Sequence, residues 1–308
     1  MMKKFFVYIG IAVLAVVMAG CKKQQPAQEQ QKELTDTVKH VSEEPIVPEE
    51  IPKADNFKQI KQEVCWLSTE KEKELEQYLC SYNTVDLEWP IALAGCSDLT
   101  SLHSHLVKLL FDRNASTTIE KAVSDFLGLP AYAEEFSSIS SKKVSNNQLN
   151  QLNKSGSDRC MSYERECRLR MVQTSPTLTT FEVFEYSYSG GAHGGGASEF
   201  AIFDRKSGRV YTAENVFIQP QGKTLMKLLN RRIQEMNNKR GTSYMAAEEV
   251  PTFYPTSKGL TFVFPPYAIG CYADGSIEVS LTYQALKSEL TPDFSEQVKL
   301  ANTFKQVK

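Results

Sequence analysis

Histidine is scarce, with four residues in 308, and cysteines never recur at a C-x₂-C spacing. A zinc ribbon or finger needs such close ligand pairs, so a structural zinc site is excluded on pattern. His103 and His105 are two apart on a predicted helix, about 200° around its axis, and cannot share a metal there. His40 lies in a polar segment far from any other candidate ligand. Neither H-E-x-x-H nor G-x-S-x-G occurs, which removes the common zinc-protease and serine-hydrolase signatures. Charge of one sign is also missing: 35 Lys+Arg stand against 37 Asp+Glu. Without a basic field, nucleic acid is not an expected partner. No cofactor and no metal is expected. Acidic residues are plentiful, but no pair is singled out by spacing as a catalytic acid and base.

The one long apolar run is at the start. In MMKKFFVYIGIAVLAVVMAGC, Lys3 and Lys4 precede an apolar stretch from Phe5 to Ala19, and Ala19-Gly20 lead into Cys21. A basic end, a short apolar helix and a small-residue cleavage point make a secretory signal peptide. A cysteine directly after Ala19-Gly20 is the bacterial lipoprotein arrangement, with Met18 where leucine is usual. The reading is a signal peptide over 1–20, lipidation at Cys21, and a lipid anchor in the bacterial cell envelope. Losing Lys3 and Lys4 leaves 33 basic against 37 acidic residues, a charge of about −4.

Residues 21–55 are rich in Gln, Glu and Pro and poor in large apolar side chains. Such a segment buries too little surface to offset its ordering entropy and reads as a flexible tether. About 250 residues remain for one large core or two closely joined lobes. Mean hydropathy of −0.35 and 41% hydrophobic residues describe an ordinary soluble body.

Six cysteines follow Cys21: Cys65, Cys80, Cys96, Cys160, Cys167 and Cys271. In an oxidising compartment they allow up to three disulfides, with 15 possible pairings. Cys160 and Cys167 would face opposite sides of one strand and should not pair with each other. Cys65 and Cys80 face one another if 60–67 and 75–88 form a hairpin.

Residues 56–158 mix strand and helix. Tyr78, Tyr82, Val85, Leu87 and Trp89 alternate up to Pro90, and Leu99, Leu102, Leu106, Leu109 and Leu110 recur at helical spacing. A second helix is predicted over Thr118 to Phe126, and the polar stretch 137–158 reads as a surface excursion. Residues 159–308 are strand-rich. Phe181 and Val183 alternate with Phe184, Tyr186 and Tyr188, so both faces of that strand are apolar and a central place is expected. Ser207-Gly208 forms a turn. Leu225, Met226, Leu228, Leu229, Ile233 and Met236 stripe a helix over 222–240 that Gly241 ends. Leu260, Phe262 and Phe264, then Ile277, Val279 and Leu281, mark two later strands, and a short helix is expected from Tyr283. Strands and helices do not alternate regularly. The expected class is α+β, a mixed or antiparallel sheet with packed helices.

Five of the sixteen glycines fall within seven positions from Gly190, in a loop that also holds His193. Bare amides there permit left-handed turns or close approach to a ligand. One reading is a strained turn whose histidine bonds neighbouring backbone; the other is a contact loop. Tyr186, Tyr188, Tyr254, Tyr267 and Tyr272 offer either core packing or a sugar-stacking surface. On the 222–240 helix, Lys223, Lys227, Arg231, Arg232, Lys239 and Arg240 stand against Glu235: a solvated face or an anion-binding one.

The runs YSYSGGAHG (186–194), TAENVF (212–217), FYPTSKGLTFVF (253–264), PYAIGCYADGSIE (266–278) and YQAL (283–286) resemble the RsiV-like C-terminal domain family, domain of unknown function 3298. The likeness spans about residues 160–290, and residues 75–112 are more weakly similar to the segment that usually precedes it. The resemblance implies an α+β domain of secreted envelope proteins, some of which bind lysozyme. Cys271 stands where the family commonly has proline. With no sigma-binding or deacetylase segment evident, it implies a binding scaffold rather than those activities. The expected function is a non-catalytic module for peptidoglycan or a lysozyme-like protein, with an envelope hydrolase or a purely structural lipoprotein as alternatives. The expected binding residues are Tyr188, Gly190, Gly191, His193, Tyr267, Tyr272 and Asp274.

Overall fold

The computed structural model describes residues 51–114, 117–154, 160–300 and 305–307. The expected signal peptide, Cys21 and the expected tether up to residue 50 lie outside the described residues. Strands β1 (Asn56–Ser68) and β2 (Leu79–Ala92) form the expected hairpin. Helices α1 (Thr100–Phe111) and α2 (Ile119–Leu127), strand β3 (Ser141–Val144) and helix α3 (Asn146–Lys154) follow. They supply the long crossover that lets β4 (Met161–Thr174) pair with β2 in parallel. Strands β5 (Leu178–Tyr188), β6 (Gly195–Asp204) and β7 (Arg209–Tyr211) continue antiparallel, giving the order β3-β1-β2-β4-β5-β6-β7. After the short α4 (Ala213–Val216) and the long α5 (Lys223–Arg240), β8 (Thr252–Pro255), β9 (Gly259–Phe264) and β10 (Ile277–Thr282) make a three-stranded sheet in which β10 is an edge. Helix α6 (Pro292–Leu300) follows, and β11 (Lys305–Gln306) pairs with the end of β4. The fold is α+β.

Register assigns each face. Val85 lies opposite Cys167, Leu87 opposite Leu169, and Phe181 opposite Ala201. These side chains share one face, buried under Leu102, Leu106 and Leu110 of α1 and Ala122, Val123 and Leu127 of α2. The reverse face is divided. Towards β7, Leu178, Ile202 and Tyr211 join the core of α5 and the small sheet through Leu225, Leu229, Phe262 and Val279. Towards β2 it is polar: Arg170 pairs with Asp86 at 2.9 Å, and the Arg168 guanidinium lies 4.3 Å from the Phe184 ring centre. Strand β5 is central, as expected, yet Phe184, Tyr186 and Tyr188 stay only half-buried because the small sheet covers part of that face. Stretch 137–158 is not the expected loop. It contains β3 and α3, and α3 folds despite its Asn and Gln because Leu149 is fully buried beside Cys65 and Cys80. Residues from Tyr283 form a turn, not a helix.

The cysteine chemistry is narrower than up to three bridges. Cys80 bonds Cys160, with Cα atoms 5.7 Å apart. The hairpin forms, but Cys65 sits opposite Tyr82 and Cys80 opposite Leu67, while the parallel pair Leu79–Met161 delivers Cys160 to Cys80. Cys65, Cys96 and Cys167 are buried free thiols and Cys271 is an exposed one. Burial, reinforced by Glu63, pushes Cys65 up to about 11, and burial raises Cys96 and Cys167 as well. Such thiols are poor nucleophiles.

One buried cation ties the sheet ends together. Arg205, 6% exposed, follows β6, and all five of its N–H groups have acceptors. Nη1 and Nη2 grip the two Asp55 oxygens at 2.6 and 2.8 Å. The remaining donors reach the Ala94 carbonyl, Thr174 Oγ1 and Thr179 Oγ1. Asp55, which the sequence places in the tether, also accepts the Ala94 amide. Burial works to raise its carboxyl, but the Arg205 bonds, that amide and the guanidinium charge outweigh it, so Asp55 titrates below its ordinary value.

Two predictions follow from these links. Cys80→Ser should cost about 2–4 kcal/mol, because the bridge closes a long loop in the unfolded chain; urea melts with and without reductant measure it, and equal midpoints would contradict it. Arg205→Ala, which strands a part-buried carboxylate, should cost about 3–5 kcal/mol. Since the folded Asp55 holds its proton less readily than the unfolded one, this contribution is complete above the ordinary carboxylate range and lost as pH falls through the depressed value. The stability gap between wild type and Arg205→Ala should therefore narrow, without closing, at strongly acidic pH, since the bonds to Thr174, Thr179 and the Ala94 carbonyl do not titrate.

Candidate functional site

The glycine-rich loop between β5 and β6 is shaped by backbone needs. Gly190 and Gly191 take φ of 85° and 90°, which side chains rarely adopt. At Gly194 the constraint is space, since a Cβ there would meet Tyr186 Oη at 2.3 Å and the Ser187 carbonyl at 2.6 Å. Tyr188 donates its hydroxyl to the Gly191 carbonyl at 3.0 Å, and this bond holds the loop closed. The loop thereby projects His193 at the surface.

Two aromatic rings meet His193 there, from positions 74 and 79 residues later. Its imidazole stacks on Tyr272 with centroids 3.7 Å apart and planes 15° from parallel. Nδ1 lies 2.9 Å from the Gly194 carbonyl, so it carries the proton and donates. Nε2 then accepts the Tyr267 hydroxyl at 3.0 Å. The Tyr267 and His193 ring centres are 6.0 Å apart, with planes 28° from parallel. Tyr267 and Tyr272 are 5.7 Å apart and 32° from parallel. The result is a surface cluster of three rings, with Tyr267 55% exposed and Tyr272 36% exposed.

The backbone carries strain at this point. Tyr267 has φ of 70°, an outlier for a bulky residue, and such strain concentrates at functional sites. Tyr272 is presented by a single 3₁₀ turn, Tyr272–Asp274. Asp274 caps that turn by accepting the Cys271 amide at 2.8 Å, and its bonds to Cys271 hold its carboxyl below the usual value.

All seven expected site residues thus fall on two neighbouring loops, in two roles. His193, Tyr267 and Tyr272 present rings; Tyr188, Gly190, Gly191 and Asp274 shape the backbone that carries them. Tyr254 is not part of this surface, being packed 4.8 Å from Phe200 and bonded to Glu278. Tyr186 supports it from behind through its approach to Gly194. His103 is structural, bonding the Pro90 carbonyl at 2.7 Å and stacking on Trp89. What the sequence did not reveal is the direct bond between His193 and Tyr267; nothing local signals a contact across 74 residues. Among the described residues, no group of three or more His, Cys, Asp or Glu is arranged to hold a metal ion.

Comparison with known proteins bears on the fold. Residues 214–284 match the family described as Protein of unknown function (DUF3298), a narrower span than the 160–290 read from the sequence. This match takes in α5, Tyr267, Tyr272 and Asp274 but not His193. No curated protein matches the chain. The crystal structure of a DUF3298 family member from Bacteroides fragilis superposes with a TM-score of 0.57 at 19% identity, covering 80% of this chain and 98% of that one. A DUF3298 family protein from Pseudomonas aeruginosa gives 0.52 at 14% identity, covering 79% and 98%. At such identities the likeness is one of fold. Residues 214–284 are therefore similar to the DUF3298 family, within an α+β fold that solved DUF3298 proteins share, and the resemblance read from the sequence stands on that ground.

Proposed function

We propose that this protein is a lipid-anchored binding module of the bacterial cell envelope that holds a cell-wall glycan, without chemistry, on the His193–Tyr267–Tyr272 surface. The observation that carries this reading is the surface cluster of three rings, His193, Tyr267 and Tyr272. Sugar rings present C–H faces that pack on aromatic faces, and tyrosine adds a hydroxyl at the rim. A rigid ring surface also loses little side-chain entropy on binding. A catalytic role for His193 is less favoured, because both of its nitrogens are already engaged, by Gly194 and Tyr267. The leader ending in Cys21 supports the envelope address, and the tether supports a domain spaced from the membrane.

Calorimetry of the full chain against solubilised peptidoglycan fragments tests the site. Tyr272→Ala and His193→Ala should each weaken binding about tenfold, or about 1.4 kcal/mol, while the far-ultraviolet dichroism stays unchanged. Full-strength binding in both variants would remove the surface from the reading. Tight binding of lysozyme with none of glycan would replace the ligand by a protein. The address is tested separately: mass spectrometry should find diacylglyceryl on Cys21, and Cys21→Ser should move the protein into the soluble fraction.

A further inference from the structure

Helix α5 and the edge strand β10 border two adjoining cavities. One, of about 460 Å³, lies between Arg231, Arg232 and Glu235 of α5 and a strand wall that includes Lys258, Thr261 and Ser280. The other, of about 400 Å³, is lined by Arg240, Tyr244, Asp274 and Glu278 and again by Ser280. Ser280 borders both, so the two cavities succeed one another along β10 and together make a track. Asp274 belongs to the turn that presents Tyr272, so the track begins beside the aromatic surface. Its far end is set by Lys258, next to Gly259, which pairs with Thr282 at the last position of β10. Six residues of strand at about 3.3 Å each put the two ends roughly 20 Å apart.

The ends differ in charge. Near the aromatic end, Arg240 is outnumbered by Asp274 and Glu278. At the far end the balance reverses: Glu235 is the one carboxylate, shared between Arg232 at 2.9 Å and Arg231 at 3.9 Å, and Lys258 adds a third cation. Thr261 and Ser280, whose hydroxyls lie 3.0 Å from each other, are among the residues that line this cavity. Guanidinium groups bordering a partly enclosed cavity suit a carboxylate or a phosphate, which they bind through paired hydrogen bonds. A cavity of this volume is within the range of small-ligand sites.

We infer that the α5–β10 track is a second contact stretch for an elongated acidic glycan, whose carboxylate or phosphate is received by Arg231, Arg232 and Lys258 while a sugar ring rests on the aromatic surface. This rests on the glycan reading above and deepens it by giving the ligand a charge and a length. The basic side of α5 then has a task beyond solvation, confined to the two arginines that face the cavity.

Three probes separate the possibilities: a neutral chitooligosaccharide, a muropeptide carrying carboxylates, and a glycerol-phosphate-bearing glycan. Arg231 and Arg232 are well exposed, so Arg231→Ala/Arg232→Ala should leave the fold intact. Wild type should bind one or both acidic probes at least tenfold more tightly than the neutral one, and added salt should erase much of that advantage. The double variant, and Lys258→Ala to a smaller degree, should lose the advantage and keep the neutral affinity. Tyr272→Ala should weaken all probes that bind. Equal affinity for acidic and neutral probes, or an unchanged preference in the double variant, overturns this inference and leaves the aromatic reading standing. Failure of the wild type to bind any of the three overturns both.

Discussion

A buried guanidinium is tolerable only when its charge is matched and every donor is satisfied, and Arg205 meets both conditions by drawing in four separate segments. Its acceptors come from ahead of β1, from beyond β2, from the end of β4 and from the start of β5. Removing one segment leaves a donor without a partner in a site that water scarcely reaches. The requirement therefore couples neighbouring strand ends at one end of the large sheet more firmly than apolar burial would, since apolar contacts have no fixed direction. The Cys80–Cys160 bridge performs a related service at the other end of β2 and β4, where the strands run parallel.

That rigidity matters for the candidate site because its parts come from distant places. His193 rides on the loop between two strands of the large sheet, whereas Tyr267 and Tyr272 precede β10 of the small one. The two sheets meet through Leu178, Ile202 and Tyr211 on one side and the α5 and β8–β10 core on the other. A ring stack at 3.7 Å and a hydrogen bond at 3.0 Å tolerate little relative movement. Strain at Tyr267 is held by the same surroundings. A site assembled in this way is pre-organised, and rigid aromatic surfaces bind with a smaller entropic loss.

Much of the fold is legible in the chain because it follows local periodicity. The stripe of α5 and its end at Gly241, which takes φ of 69°, are read directly from spacing. Alternation in β9 and β10 identifies inward residues that are indeed buried. Helix α3 escaped because its stability is borrowed: seven of its nine residues are Asn, Gln or Lys, and only burial of Leu149 against the neighbouring strands explains it. Asp55 was placed in the tether for a similar reason. Composition describes it as polar and unanchored, while its partner lies 150 residues away.

The sequence by itself determined the helix stripes, the inward faces of the strands and the unusual glycine loop, because each depends on residues close together along the chain. Only the tertiary structure decided which cysteine meets Cys80, that His193 closes on Tyr267 and Tyr272, and that two arginines of α5 line a cavity beside β10. Those outcomes depend on register and on a parallel crossover. Both are settled by burying faces contributed from segments far apart along the chain, so no local pattern encodes them.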